Sequence, residues 1–179
     1  RMADLAEEVA RFYGYDNIPV TLPNGESTAG KKPFKIRVED VCRNVAEQNG
    51  FCGGMTYSFE SPKVFDKLLL YEFGNIYIPK SLPLTELPDE RMQMTLGMYG
   101  ECDFFTLKGV VEDMLDSLGL GGKSEYAPTG EHPFLHPGRA ADVTIDGEKI
   151  AYIGQIHPEV MDNYNMKGEV YVAVIDMPT

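Results

Sequence analysis

Arginine is scarce in this chain: Arg1, Arg11, Arg37, Arg43, Arg91 and Arg139 are the only six in 179 residues. An enzyme that uses ATP to activate a carboxylate must stabilise charge developing on a polyphosphate, usually with arginine forks and a metal. The six positions suggest no such clamp, which argues against autonomous catalysis. A phosphate-gripping loop is missing as well. Gly53-Gly54 and the glycine-rich stretch 119–122 lack the lysine and hydroxyl of a P-loop, and neither leads correctly from strand into helix. Cysteine is also sparse. Cys42, Cys52 and Cys102 are an odd number without metal or redox spacing, which fits reduced thiols in a cytosolic protein. No apolar run approaches a membrane span, and an acidic first turn is unlike a signal peptide. Basic charge is short too: 16 Lys and Arg stand against 28 Asp and Glu, a net charge of −12. Affinity for nucleic acid rests largely on neutralising phosphates, so a domain this acidic is no principal nucleic-acid dock. The one basic cluster, Lys31, Lys32, Lys35 and Arg37, reads as a solvated helix start.

What remains is ordinary for a globular protein, with 43% hydrophobic and 25% charged residues. The length suits one domain with a short appendage. The chain starts inside a helical pattern without an initiator methionine, so an excised fragment is expected. Residues 3–13 read as a helix with Val9, Phe12 and Tyr13 on its apolar stripe. Residues 19–33 hold Pro19, Pro23, Gly25, Gly30 and Pro33, a linker composition. The expected organisation is therefore 1–18 as the last helix of a preceding domain, 19–33 as linker, and 34–179 as the core domain. Within the core, Ile36, Val38, Val41, Val45 and Ala46 recur at helical period over 34–48, and Gly50 supplies a stop. Residues 55–59 read as a strand, and Ser61-Pro62 opens a short helix reaching about Leu69. Residues 91–99 alternate, with Met92, Met94, Leu96 and Met98 on one face. Residues 104–118 form a helix capped by Asp103, with Leu107, Val110, Val111, Met114, Leu115 and Leu118 buried. Asp146-Gly147 joins strands 140–145 and 149–156 in a hairpin, a short helix follows Pro158, and 169–176 is the last strand. Hairpin-joined strands with helices inserted between them indicate an α+β fold around an antiparallel β-sheet. One junction is anomalous: between Leu70 and Tyr71 a helical pattern becomes a β-like one with no turn residue.

Two groups of residues invite chemical readings. Asp4, Glu7 and Glu8 stand at i, i+3 and i+4, on one helix face. The spacing fits either a favourable alignment with the helix dipole or a hard-cation site for Mg2+. All three histidines precede proline: His132, His136 and His157. A residue before proline is pushed out of the α region, so His132 and His136 are no helical zinc pair. Turns with locally hydrogen-bonded imidazoles are the simpler reading. A dyad of His136 or His157 with Asp142 or Glu159 is the alternative, and it would make the chain a hydrolase.

Separated blocks resemble the bacterial phenylalanyl-tRNA synthetase beta subunit. They are Asp4-Leu-Ala-Glu-Glu-Val-Ala-Arg-Phe-Tyr-Gly-Tyr-Asp-Asn-Ile-Pro19, Gly50-Phe-Cys-Gly-Gly-Met-Thr-Tyr-Ser-Phe59 and Tyr71-Glu-Phe-Gly-Asn-Ile-Tyr77. Further blocks are Phe104-Phe-Thr-Leu-Lys-Gly-Val-Val-Glu112, Leu135-His-Pro-Gly-Arg-Ala-Ala141 and Gly154-Gln-Ile-His-Pro158. The resemblance implies a class II aminoacyl-tRNA synthetase-like sheet flanked by helices that has lost its catalytic motifs. It implies packing against a catalytic α subunit in an (αβ)2 cytoplasmic assembly. That α subunit would use ATP to attach phenylalanine to tRNA, with most tRNA contacts lying outside this region. Helix 34–49 and strand 55–59 are the expected α-subunit contact, marked by an apolar patch. The resemblance also implies a Mg2+ role for Asp4, Glu7 and Glu8, matching the last three members of an acidic pattern. The pattern's first aspartate would precede Arg1, so the site is incomplete here. Relatives in that family carry several dozen further residues between Leu70 and Tyr71. The expectation is that these two are not truly consecutive and that a wide Cα gap separates them. A stand-alone amino-acid sensor is the remaining alternative.

Overall fold

The structure, a computed structural model, describes residues 1–27, 29–54 and 68–178. The chain divides into two compact units, Arg1–Lys31 and Lys32–Thr179. The first unit contains α1 (Met2–Tyr13) and a short 3-10 turn over Tyr15–Asn17. Gly14 ends α1 at φ 91°, a left-handed conformation suited to glycine, and its N–H bonds the Ala10 carbonyl. None of the residues in α1 is buried, and Leu5, Val9 and Phe12 stand exposed along one stripe.

Among the described residues, the second unit is a sheet of seven strands flanked by helices. Its elements are α2 (Phe34–Gln48), β1 (Cys52–Gly53), β2 (Leu68–Ile78), β3 (Asp89–Tyr99), α3 (Phe104–Ser117), β4 (Ser124–Pro128), β5 (Leu135–Ile145), β6 (Glu148–Ile156), α4 (Pro158–Asn163) and β7 (Val170–Asp176). The strand order is β1-β2-β3-β7-β6-β5-β4. All described neighbours run antiparallel except β1 and β2, which are parallel. The period-2 alternation of the strands sends one set of side chains toward α2 and α3. Met94, Leu96 and Met98 of β3, Val143 of β5, Ile153 of β6 and Ala173 of β7 form that buried layer. From the helices, Val38, Cys42, Leu107, Val111 and Met114 close over it. Burying one such side chain contributes about 1.5–3 kcal/mol, so this layer holds the domain together. The alternate residues, among them Gly97, Tyr152, Val172 and Val174, sit half-buried on the opposite face.

Local chemistry explains most boundaries. Asp103 caps α3, its carboxylate accepting the Thr106 N–H at 2.6 Å and the Thr106 hydroxyl at 2.8 Å. Asp146 and Gly147 both take positive φ, 52° and 82°, as a two-residue hairpin turn requires. Strand β5 begins earlier than residue 140 because Leu135 already pairs with Ile156. The next registered pair is Ala140 with Gly154. Five steps on β5 thus face two on β6, and His136-Pro-Gly-Arg139 bulges out of the ladder. Proline has no N–H to donate, so a bulge is where a sheet tolerates it.

Two expectations require correction. Leu68, Leu69 and Leu70 are strand, not helix: Leu69 pairs with Met98 and Leu70 with Gly97 in unbroken register with Tyr71 and Leu96. Leu69, Tyr71 and Phe73 alternate toward the helix side, so the anomalous junction is one strand read as two elements. The expected gap between Leu70 and Tyr71 is accordingly absent. The expected strand 55–59, and the expected helix as far as residue 67, lie outside the described residues. Strand β4 carried too weak a pattern to be read. Its five residues offer one inward aromatic, Tyr126, paired with Val143.

Candidate functional site

The three acidic residues of α1 are exposed. Asp4 accepts the amino-terminal ammonium at 2.7 Å, and Glu8 accepts the Arg11 guanidinium at 2.6 Å. Among the described residues no group of three or more His, Cys, Asp or Glu could hold a metal ion.

His132 precedes a turn and His157 joins β6 to α4, whereas His136 lies within β5, in the bulge. His136 Nδ1 accepts the Gly138 N–H at 3.1 Å and stabilises the bulge. His157 caps α4, its Nδ1 accepting the Glu159 N–H at 3.3 Å. Their rings lie 6.4 Å apart, with the lone pair that would serve as a base already occupied in each. The histidine close to a carboxylate is instead His132. It stacks on Tyr152 at 3.9 Å between ring centroids and lies 3.7 Å from Asp142. Lys149 bridges Asp142 at 2.6 Å and Glu131 at 3.1 Å. Burial alone would raise the Asp142 carboxyl, but hydrogen bonds from Lys149 and Thr129 and the nearby charges outweigh it and hold it below the usual range. Sequence spacing could not reveal this cluster. A register shift between Val143 and Thr144 sets Asp142 opposite Tyr152, and nothing in the hairpin sequence announces it.

The arginines of the sheet unit have partners of their own. Arg139 extends from the bulge to Gln155 Oε1 at 2.8 Å and Glu169 Oε1 at 2.9 Å. Tyr171 donates to the other Glu169 oxygen at 2.7 Å. That bond first, then Arg139, depresses the Glu169 carboxyl, while burial and Glu169 push the Tyr171 phenol up to about 12. Arg91 pairs with Asp89 at 2.6 Å. Arg37 and Arg43 lie over the Phe34 and Phe73 rings, at 5.8 and 5.0 Å. Every arginine of the sheet unit thus braces its own scaffold. Cys42 is equally unreactive, because burial pushes its thiol up to about 11.

A groove of about 830 Å3 opens where α2 begins and α3 ends. Phe34, 64% exposed, stands at its lip, and Val38 and Cys42 line its floor. A smaller hollow of about 370 Å3 lies at the other end of these helices, between Phe51, Leu69, Phe105 and Val110.

A mixed α+β architecture of this kind is found in a solved aminoacyl-tRNA synthetase. A solved pyrrolysyl tRNA synthetase, PylSc from Desulfitobacterium hafniense, superposes with a TM-score of 0.64 at 12% identity, covering 81% of this chain and 66% of that one. The family described as "Phenylalanyl tRNA synthetase beta chain CLM domain" matches residues 18–69 and 66–177. The chain belongs to that family. It is 33% identical to the phenylalanine–tRNA ligase beta subunit of Clostridium tetani, over 97% of this chain and 28% of that protein. The subunits of Clostridium acetobutylicum and Bacillus thuringiensis subsp. konkukian are 33% and 32% identical, over 97% and 92% of this chain. The chain therefore spans between a quarter and a third of the length of these relatives. The Clostridium tetani match runs over 222 residues yet 97% of 179 is only about 174, leaving about 48 positions without counterpart here. The family match falls into two pieces that meet at residues 66–69, beside the junction that looked anomalous in sequence.

Proposed function

We propose that this domain is the noncatalytic core of a phenylalanine–tRNA ligase beta subunit. Its job is to hold the catalytic α subunit in working arrangement while that subunit uses ATP to attach phenylalanine to tRNA. The observation that carries the reading is the fate of the arginines: each one in the sheet unit is bound to a carboxylate or an aromatic ring. A polyphosphate would have to displace those partners, at the cost of charge-assisted hydrogen bonds. The exposed apolar lip of α2 supports a docking role, since obligate interfaces resemble a core cut in half. The assembly is an (αβ)2 heterotetramer in the cytoplasm, and tRNA is held mainly by parts outside this chain. No helix among the described residues is long and apolar enough to cross a membrane. Asp4, Glu7 and Glu8 contribute to Mg2+ binding only in the assembled ligase, where other ligands complete the set.

In sequence the two pieces of the family match meet at residues 66–69, and a chain without the relatives' extra residues there makes a smaller contact than they do. Size-exclusion chromatography of the chain mixed with its cognate α subunit tests the docking. Co-elution supports it, and separate peaks at micromolar concentrations refute it. Grafting the absent segment from the Clostridium tetani relative between residues 67 and 68 should tighten the complex.

A further inference from the structure

We propose that the groove between α2, the end of α3 and the β5–β6 hairpin is a docking site for a peptide segment that carries apolar side chains flanked by lysine or arginine. The groove's lip is the α2 lip invoked above for docking, but the inference concerns the chemistry of a bound segment and stands whether or not the α subunit docks here. The groove's volume, about 830 Å3, accommodates several large side chains. Its floor is apolar, built from Val38, Leu115, Leu118, Leu120, Ile150 and Met177. Its rim is acidic, with Asp89, Asp146, Glu148 and Asp176 against Arg91 and Lys149.

The two rim cations are already matched. Arg91 is held by Asp89 at 2.6 Å, and Lys149 by Asp142 and Glu131, neither of which lines the groove. Among the described residues, Asp146 and Glu148 make no ion pair, and Asp176 receives only the neutral Gln93 amide at 2.8 Å. Three carboxylates without cations thus border an apolar floor. They stand on two separate elements, the hairpin and the end of β7, which favours spaced cations on one segment over a single compact ion. Apolar burial supplies the affinity, and the acidic border, in a chain of net charge −12, selects the sign of the partner.

The chain holds no tryptophan. A synthetic peptide of leucines and lysines with a single tryptophan therefore reports its own burial without background. Titrating the 179-residue chain should give saturable, blue-shifted emission. Reversing the rim in the variant E148K/D176K should weaken binding about tenfold. Replacing the peptide's lysines by glutamates should do at least as much. Both rim side chains are exposed, and circular dichroism checks that the variant folds. If it does not, a salt titration of the unaltered chain still decides, because binding must weaken steadily between low and high ionic strength. Binding that ignores rim reversal, peptide charge or salt overturns the proposal, as does the absence of saturation. Co-elution with the α subunit is scored separately, and its failure bears on the scaffold reading alone.

Discussion

Adding one methyl group at Gly154 tests how tightly the bulge is held. A Cβ there would meet Ala140 Cβ, the Arg139 carbonyl oxygen and Leu135 Cδ1, each at 3.0 Å. One of the three is backbone and another is the stub of a strand alanine, so neither can swing aside. The strand must shift, and overpacking of this kind costs about 1–3 kcal/mol. Replacing glycine by alanine also removes freedom from the unfolded chain, which returns about 0.4–1 kcal/mol. The net expectation for Gly154→Ala is a loss of about 1–2 kcal/mol. For a domain of this size that lowers Tm by about 2–8 °C. Gly97 is the matched control, because it lies on the same sheet face with nothing within 4 Å of its would-be Cβ. Gly97→Ala should be neutral or stabilising by a few tenths to about 1 kcal/mol. Urea denaturation of both variants reads the difference directly. Equal stabilities would refute the claim that residues 135–140 are packed against β6. The consequence extends to the site, since the same bulge carries Arg139 to Gln155 and Glu169. A shifted strand would loosen that brace, visible as faster amide exchange at Tyr171.

Further expectations concern individual groups. Asp142→Asn should destabilise the domain by about 1 kcal/mol at neutral pH, because it removes the acid that pairs with Lys149. The native Asp142 carboxyl lies below its ordinary value of 3.8, so its contribution is present above that pH and is lost as pH falls through the folded value. The gap between native protein and variant, followed by urea denaturation, should therefore close in acid. A constant gap would contradict the charge-based account. Asp103→Ala should lower the urea midpoint through loss of the α3 cap, with Asp103→Ser recovering most of it. At pH 8, iodoacetamide should label the exposed Cys52 in the folded chain, while Cys42 reacts only after denaturation. Mass spectrometry of the alkylated peptides distinguishes the two.

Long elements with clear period were legible in the sequence. Helix α2 fell on residues 34–48, α3 lost one residue at its end, and the Asp146-Gly147 turn lay where its positive φ demands. The strand at 68–70 was not legible, because three consecutive leucines carry no period and suit helix and strand alike. Register was hidden as well. The bulge at 136–139 and the slip after Val143 decide which side chains meet, and both depend on packing across strands. This is why the sequence suggests His136 or His157 as partners of Asp142, where the structure has His132 and Lys149. That the chain has only six arginines could be read from its letters. That each arginine of the sheet unit has a partner required coordinates.

The central claim is that this domain supports chemistry it does not perform. Phenylalanine-dependent exchange of pyrophosphate into ATP measures the first chemical step directly. The account predicts background exchange for this chain alone and a rise in the α subunit's exchange when the two are mixed. Exchange by this chain alone, or an α subunit indifferent to its presence, would contradict it.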